Sequence, residues 1–71
     1  MTQQIKDYIS EIYSFAKANN CDIGVAADKL RPEACDADAF KKAEEFATEN
    51  YFEIVRMRKE NKSMDEIIES L

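Results

Sequence analysis

The side chains that could perform chemistry in this chain are carboxylates and two cysteines. The sequence contains no His, so the commonest general base and metal ligand is missing. Neither Cys21 nor Cys35 has a His partner to activate a thiolate, and no Ser belongs to a recognisable catalytic triad. We therefore expect a non-catalytic protein that needs no cofactor.

Metal binding is not indicated by the sequence either. The Asp36-x-Asp38 pair resembles the start of a calcium-binding loop, but the glycine and the terminal carboxylate of such a loop do not follow. A zinc site would need two ligands besides the two cysteines. We interpret Asp36 and Asp38 as residues that cap a helix and complement the positive end of its dipole.

Segments that would direct the chain to a membrane are missing from the sequence. Residues 1–20 lack the continuous apolar region of a signal peptide, and no run of about 18 apolar residues occurs. These features predict a cytoplasmic protein with no membrane association. Two cysteines in that compartment are more often reduced packing residues than a disulfide, so we expect Cys21 and Cys35 to be free thiols.

The charge of the chain argues against general binding to nucleic acid. Ten Lys and Arg residues oppose fifteen Asp and Glu residues, and the resulting net charge of −5 repels phosphates and anionic lipids. Nine acidic and four basic side chains lie between residues 21 and 53, so this span alone carries −5. The sign reverses over residues 54–62, an arrangement that also complements helix dipoles.

The pattern of apolar residues predicts an all-α protein. Only one Gly and one Pro occur and the β-branched residues are scattered, so the signals of strands and hairpins are missing. We predict a single helical domain over residues 1–71: a small bundle of four helices, two longer and two short, around a long central third helix. The predicted helices cover residues 2 to about 18, 22 to about 30, 36 or 38 to 61, and 63 to 71.

Individual residues predict where these helices end. Asn19 and Asn20 tolerate the left-handed backbone that stops the first helix. Pro32 disfavours helical geometry in the residue before it and so ends the second helix. Ser63 and Glu66 have the spacing of a capping box, which predicts the start of the last helix.

The third predicted helix dominates the chain. As one uninterrupted rod it would extend roughly 35 Å, and its apolar arc is wider than a single neighbouring helix can cover. Its inward-facing residues are expected to be Phe40, Ala43, Ala47, Tyr51, Ile54 and Val55. On the first helix, Tyr8 and Tyr13 are expected at the edge of the core with their hydroxyl groups in water.

Phe52 does not fit the apolar arc of this helix. It falls on the polar side of a helical wheel, so we expect its ring to be exposed. Glu45, Glu49 and Glu53 recur at i, i+4 and i+8, a spacing at which like charges repel and which a purely structural face does not need. An aromatic ring with a charged rim is typical of interface hot spots. We predict a partner-binding site composed of Glu45, Glu49, Phe52, Glu53 and Arg56.

These features favour a small acidic inhibitor or regulator whose partner is another protein with a basic surface. A protein that handles nucleic acid has such a surface, and small acidic proteins of phages and mobile elements inhibit partners of this kind. A second copy of the chain is another expected cover for Phe52, because so short a chain has a thin core and leaves apolar area exposed.

A nucleic-acid-binding regulator is the alternative hypothesis. The step from Ala27 to Leu30, followed by a break and the helix through Phe40, resembles a helix-turn-helix motif. The segment after the break offers acidic side chains, which are unfavourable partners for base edges and phosphates. The hypothesis also requires a dimer that concentrates four cations on one face, namely Arg56, Arg58, Lys59 and Lys62.

Overall fold

Five α-helices and one 3₁₀ turn form the fold. The computed structural model describes all 71 residues. In chain order the elements are α1 (Gln3–Asn19), α2 (Ile23–Leu30), a 3₁₀ turn (Arg31–Glu33), α3 (Ala37–Glu49), α4 (Tyr51–Lys59) and α5 (Met64–Ser70). The predicted all-α class is confirmed. The bundle of four helices is not, because the third predicted segment folds as two helices.

Three of the predicted helix ends are confirmed. Asn20 adopts the left-handed conformation, with φ 50° and ψ 50°, and stops α1. The carboxylate of Asp36 accepts a hydrogen bond from the Ala39 N–H at 3.0 Å and caps α3. The Ser63 hydroxyl accepts from the Glu66 N–H at 3.2 Å and caps α5. In each case a local polar group satisfies a backbone group that the helix end leaves unpaired.

The core lies between α1 and the helices that surround it. α1 contacts α2, α3 and α5, and small alanines on α2 and α3 allow close approach of the backbones. The largest fully buried side chains are Phe40, Ile9, Ile12, Ile54 and Ile67. The result is a flattened molecule of 31 × 27 × 17 Å. None of its helices combines the length and the apolar character that crossing a membrane requires.

The prediction of one uninterrupted helix from Phe40 to Asn61 is wrong. Asn50 has φ −110° and ψ 22°, so the chain leaves helical geometry there and α4 begins at the next residue. The hydrogen-bond ladder resumes with the Ile54 N–H, which donates to the Asn50 carbonyl at 2.9 Å. A second departure from helical geometry, at Asn61 with φ 64°, precedes α5. The 35 Å rod does not exist.

Side chains just before the break and at it compete for the helical carbonyl groups. The Asn50 side-chain amide donates to the Phe46 carbonyl at 3.0 Å, and the Thr48 hydroxyl donates to the Glu44 carbonyl at 2.9 Å. Such local bonds bend or end helices because they offer the backbone an alternative to its ladder. These two residues are the signal in the sequence that could have placed the break.

The third competitor comes from another helix. In a continuous helix the Ala47 carbonyl would accept from the N–H of Tyr51, but here it accepts the buried hydroxyl of Tyr13 at 2.8 Å. The prediction that the Tyr13 hydroxyl reaches water is therefore wrong. The Tyr8 hydroxyl likewise bonds the backbone, accepting from the N–H groups of Cys35 at 3.1 Å and Asp36 at 3.3 Å. Both tyrosines satisfy irregular backbone that α1 packs against.

Two aspartates at helix starts allow a matched test of capping. Asp36→Ala removes the bond to the Ala39 N–H, and we expect the free energy of unfolding to fall by about 1 kcal/mol. Asp22 holds the same position before α2 but makes no capping hydrogen bond, so Asp22→Ala should cost less than half as much. Urea denaturation of both variants measures the difference. Equal losses would contradict the assigned cap.

A second pair of variants tests the hydroxyl at the break. Tyr13→Phe leaves the Ala47 carbonyl without its buried donor, and we expect a loss of about 1–3 kcal/mol in the free energy of unfolding. Tyr51→Phe is the control, because its ring is 40% exposed and its hydroxyl makes no hydrogen bond within the protein. Urea denaturation should show a change within about 0.5 kcal/mol for that control.

Candidate protein-binding surface

Phe52 is the most exposed large apolar residue of the folded chain. Its ring is 84% exposed in the first turn of α4, as the sequence predicted. The neighbouring Tyr51, expected to face inward, is instead 40% exposed and meets Phe52 edge to face, with ring centroids 5.5 Å apart. Beside them lies an aromatic notch lined by Asp22, Ile23, Thr48, Tyr51 and Phe52.

A buried aromatic residue supports this exposed pair. Tyr51 stacks on Tyr13 with centroids 6.4 Å apart and ring planes 20° from parallel. Tyr13 is only 3% exposed and is held by its hydrogen bond to Ala47. On α4, the guanidinium of Arg58 lies 5.6 Å from the centre of the Tyr13 ring, a cation–π contact. Phe52 therefore projects from a rigid stack.

The environment of Tyr13 keeps its phenol neutral. Burial raises the pKa of Tyr13 above its ordinary range, the proximity of Tyr51 raises it further, and the Arg58 guanidinium lowers it. The first two effects win, since removal from water disfavours the phenolate. Only the neutral hydroxyl can donate to the Ala47 carbonyl. The hydrogen bond at the break in the helix therefore depends on Tyr13 remaining protonated.

An acidic depression lies on the α3 side of the notch. Its charged residues are Arg31, Asp38, Lys41, Glu44, Glu45 and Glu49, and Thr48 lines both this depression and the notch. Glu44 is engaged by Arg31 at 2.6 Å, and Arg31 also binds Asp28 at 2.9 Å. Glu45 and Glu49 are exposed and form no ion pair within the chain. They are unpaired carboxylates of the depression that adjoins the notch through Thr48.

Glu53 and Arg56 occupy a different position from the one predicted. Because the helix breaks at Asn50, Glu53 does not continue the i, i+4, i+8 row of Glu45 and Glu49. Its carboxylate binds Arg56 at 2.7 Å, and Arg56 also binds Glu60 at 3.1 Å. The hydrogen bond and charge of Glu53 raise the pKa of Arg56, which stays cationic. Glu53 and Arg56 therefore neutralise each other within α4.

A basic groove lies on the other side of the notch, between the end of α1, the start of α2 and α4. Its volume is about 470 Å³, and the cations Lys17, Arg58 and Lys59 line it together with Asp22. Ile23 and Tyr51 line both the groove and the notch. The run of cations after residue 54 is visible in the sequence, but the contribution of Lys17 depends on tertiary packing.

The remaining candidates from the sequence form no metal site, and the four cations assigned to nucleic-acid binding do not share one free surface. Cys21 is half-buried and Cys35 is exposed, both as free thiols. No three Cys, Asp or Glu side chains are grouped so that they could hold a metal ion. Of the cations assigned to nucleic-acid binding, Arg58 lies over a buried ring, and Arg56 and Lys62 both pair with Glu60.

The raised pKa of Tyr13 predicts instability at alkaline pH. In the unfolded chain the phenol ionises near pH 10, whereas in the folded protein it stays protonated to higher pH. The stabilisation is therefore complete below about pH 10 and is lost as the pH rises, with a slope of at most about 1.4 kcal/mol per pH unit from this group. Urea denaturation across this range should show a steeper decline for the wild type than for Tyr13→Phe. Parallel declines would contradict the assignment.

Comparison with known proteins leaves the function to be inferred from this surface. No family model matches the sequence, and neither the curated proteins nor the solved structures gave a match. The features available for that inference are an exposed aromatic pair on a rigid support, two free carboxylates on one side and a basic groove on the other.

Proposed function

We propose that this protein is a non-catalytic interaction module that binds another protein through the acidic depression and the aromatic notch. The observation that carries the proposal is the exposure of Phe52, which is 84% accessible and packs against Tyr51. Its notch shares Thr48 with the depression that contains the unpaired carboxylates of Glu45 and Glu49. Glu53 and Arg56 form the edge of the same binding site.

The aromatic pair supplies the affinity in this proposal. Burying apolar surface is worth about 25 cal/mol per Å², and aromatic side chains dominate interface energetics. The stack from Tyr13 through Tyr51 holds Phe52 in place before the partner arrives. A preorganised ring loses little conformational entropy on binding, so more of its burial energy appears as affinity.

The carboxylates supply orientation and partner choice. Glu45 and Glu49 form no ion pair within the chain, so a partner with Lys or Arg at the facing positions meets two unpaired carboxylates. Such complementarity accelerates encounter and excludes acidic competitors. The partner is therefore a protein with a basic surface beside an apolar pocket. A protein that handles nucleic acid has such a surface, and occupation of it by carboxylates in place of phosphates makes this chain an inhibitor or regulator.

A capture experiment tests the proposal with a matched control. Wild type, Phe52→Ala and a double variant with Glu45→Lys and Glu49→Lys are immobilised and exposed to lysate of the native host. We expect a basic protein to bind the wild type and to be retained at least tenfold less by both variants. The control carries Glu11→Lys and Glu33→Lys, which change the net charge equally at exposed positions outside all three surface regions.

The dependence of the association rate on salt concentration gives a second test of the proposed site. The association rate of the captured protein should fall as the salt concentration is raised toward physiological strength, because screening weakens electrostatic steering. Retention of that protein by Phe52→Ala and by the charge-reversed variant at the level of the control would refute the proposed site. Far-UV circular dichroism verifies that each variant is folded.

A further inference from the structure

We infer that the same face accepts a second copy of this chain, in a two-fold symmetric dimer centred on Phe52. The three surface regions follow one another across the molecule. Thr48 lines both the acidic depression and the aromatic notch, while Asp22, Ile23 and Tyr51 line both the notch and the basic groove. The surface therefore runs without interruption from acidic, through aromatic, to basic.

Such an order is self-complementary. In a two-fold symmetric interface the same patch of each copy meets the other copy in the opposite direction. A two-fold axis through the notch places the acidic depression of each copy on the basic groove of the other, so the dimer contains this contact twice. It also places the exposed ring of Phe52 against Ile23 and Tyr51 in the notch of the second copy. Each copy therefore supplies both a ring and the notch that receives the other ring.

The charges on the two sides balance. The acidic depression has four carboxylates and two cations, which leaves −2, and the basic groove has three cations and Asp22, which leaves +2. Two chains of net charge −5 repel each other at long range. Pairing the depression of one copy with the groove of the other replaces that repulsion by attraction at the interface, which a random face-to-face contact would not achieve.

Apolar side chains that the monomer leaves exposed would be buried in the dimer interface. The single chain buries only 16 of its 71 residues and leaves Phe52 and Tyr51, which line the notch, exposed. A dimer of ordinary stability buries about 800 Å² per protomer. The chain exposes 4717 Å² in all, so the contact needs only a modest share of the surface, centred on residues that a monomer leaves in water.

Dimerisation would regulate the surface proposed for the partner. The second copy covers Phe52, Glu45 and Glu49, so only the monomer would present them to another protein. This consequence rests on the proposed function, whereas the dimer itself follows from the chain alone.

Sedimentation equilibrium of charge-reversed variants tests the inference. The acid-reversed variant carries Glu45→Lys and Glu49→Lys, and the base-reversed variant carries Lys17→Glu and Lys59→Glu. Each should dimerise at least tenfold more weakly than the wild type, because both copies of its interface then place like charges together. The control with Glu11→Lys and Glu33→Lys should dimerise at least as tightly as the wild type, because it lowers the long-range repulsion and leaves the interface unchanged. Phe52→Ala should weaken the dimer in the same way as the charge reversals.

Mixing the two charge-reversed variants gives the decisive measurement. In the mixed dimer both contacts are attractive again, so an equimolar mixture should recover a dissociation constant within about threefold of the wild type. This recovery also shows that both variants are folded. A wild type that stays monomeric at millimolar concentration, or a mixture no tighter than its separate components, would overturn the dimer. Capture of a basic partner in the lysate experiment is measured independently and survives that outcome.

Discussion

The hydroxyl of Tyr13 and the carbonyl of Ala47 form the contact on which the shape of this small protein depends. The bond is buried, spans 34 positions of the chain, and occupies a carbonyl that a continuous helix would use itself. Buried polar groups are costly when unpaired, so α1 and the end of α3 are tied to one relative position. The same ring stacks on Tyr51 and lies beneath Arg58, which positions the start and the last turn of α4 as well.

The interruption at Asn50 has consequences for the surface. It separates α3, which carries Glu45 and Glu49, from α4, which carries Phe52, and it removes Glu53 from the row that Glu45 and Glu49 begin. The carboxylates that remain free lie on one side of the aromatic pair, and the cations of α4 join Lys17 on the other side. A surface with separated charges around an aromatic centre is the basis of both the partner proposal and the dimer proposal.

Much of the fold could be predicted from local chemistry. The capping side chains of Asp36 and Ser63 and the left-handed Asn20 mark helix ends that depend on residues only a few positions away. Periodicity likewise identified Phe40, Ala43 and Ile54 as core. The prediction of a continuous third helix was wrong because the apolar pattern continues through Asn50 and gives no sign of the break. The competing hydrogen bonds of Thr48, Asn50 and Tyr13 outweigh that pattern.

Part of the candidate site could likewise be predicted from the sequence, and part depends on tertiary packing. By itself, the sequence determined that Phe52 would stand on the polar side of its helix and that carboxylates and cations would be segregated along the chain, since both follow from spacing within one segment. Only the tertiary structure decided which charges are neutralised and which surround the aromatic pair. Arg31 reaches Glu44, and Lys17 meets Arg58 and Lys59 across the basic groove, because packing brings together helices that are distant in sequence.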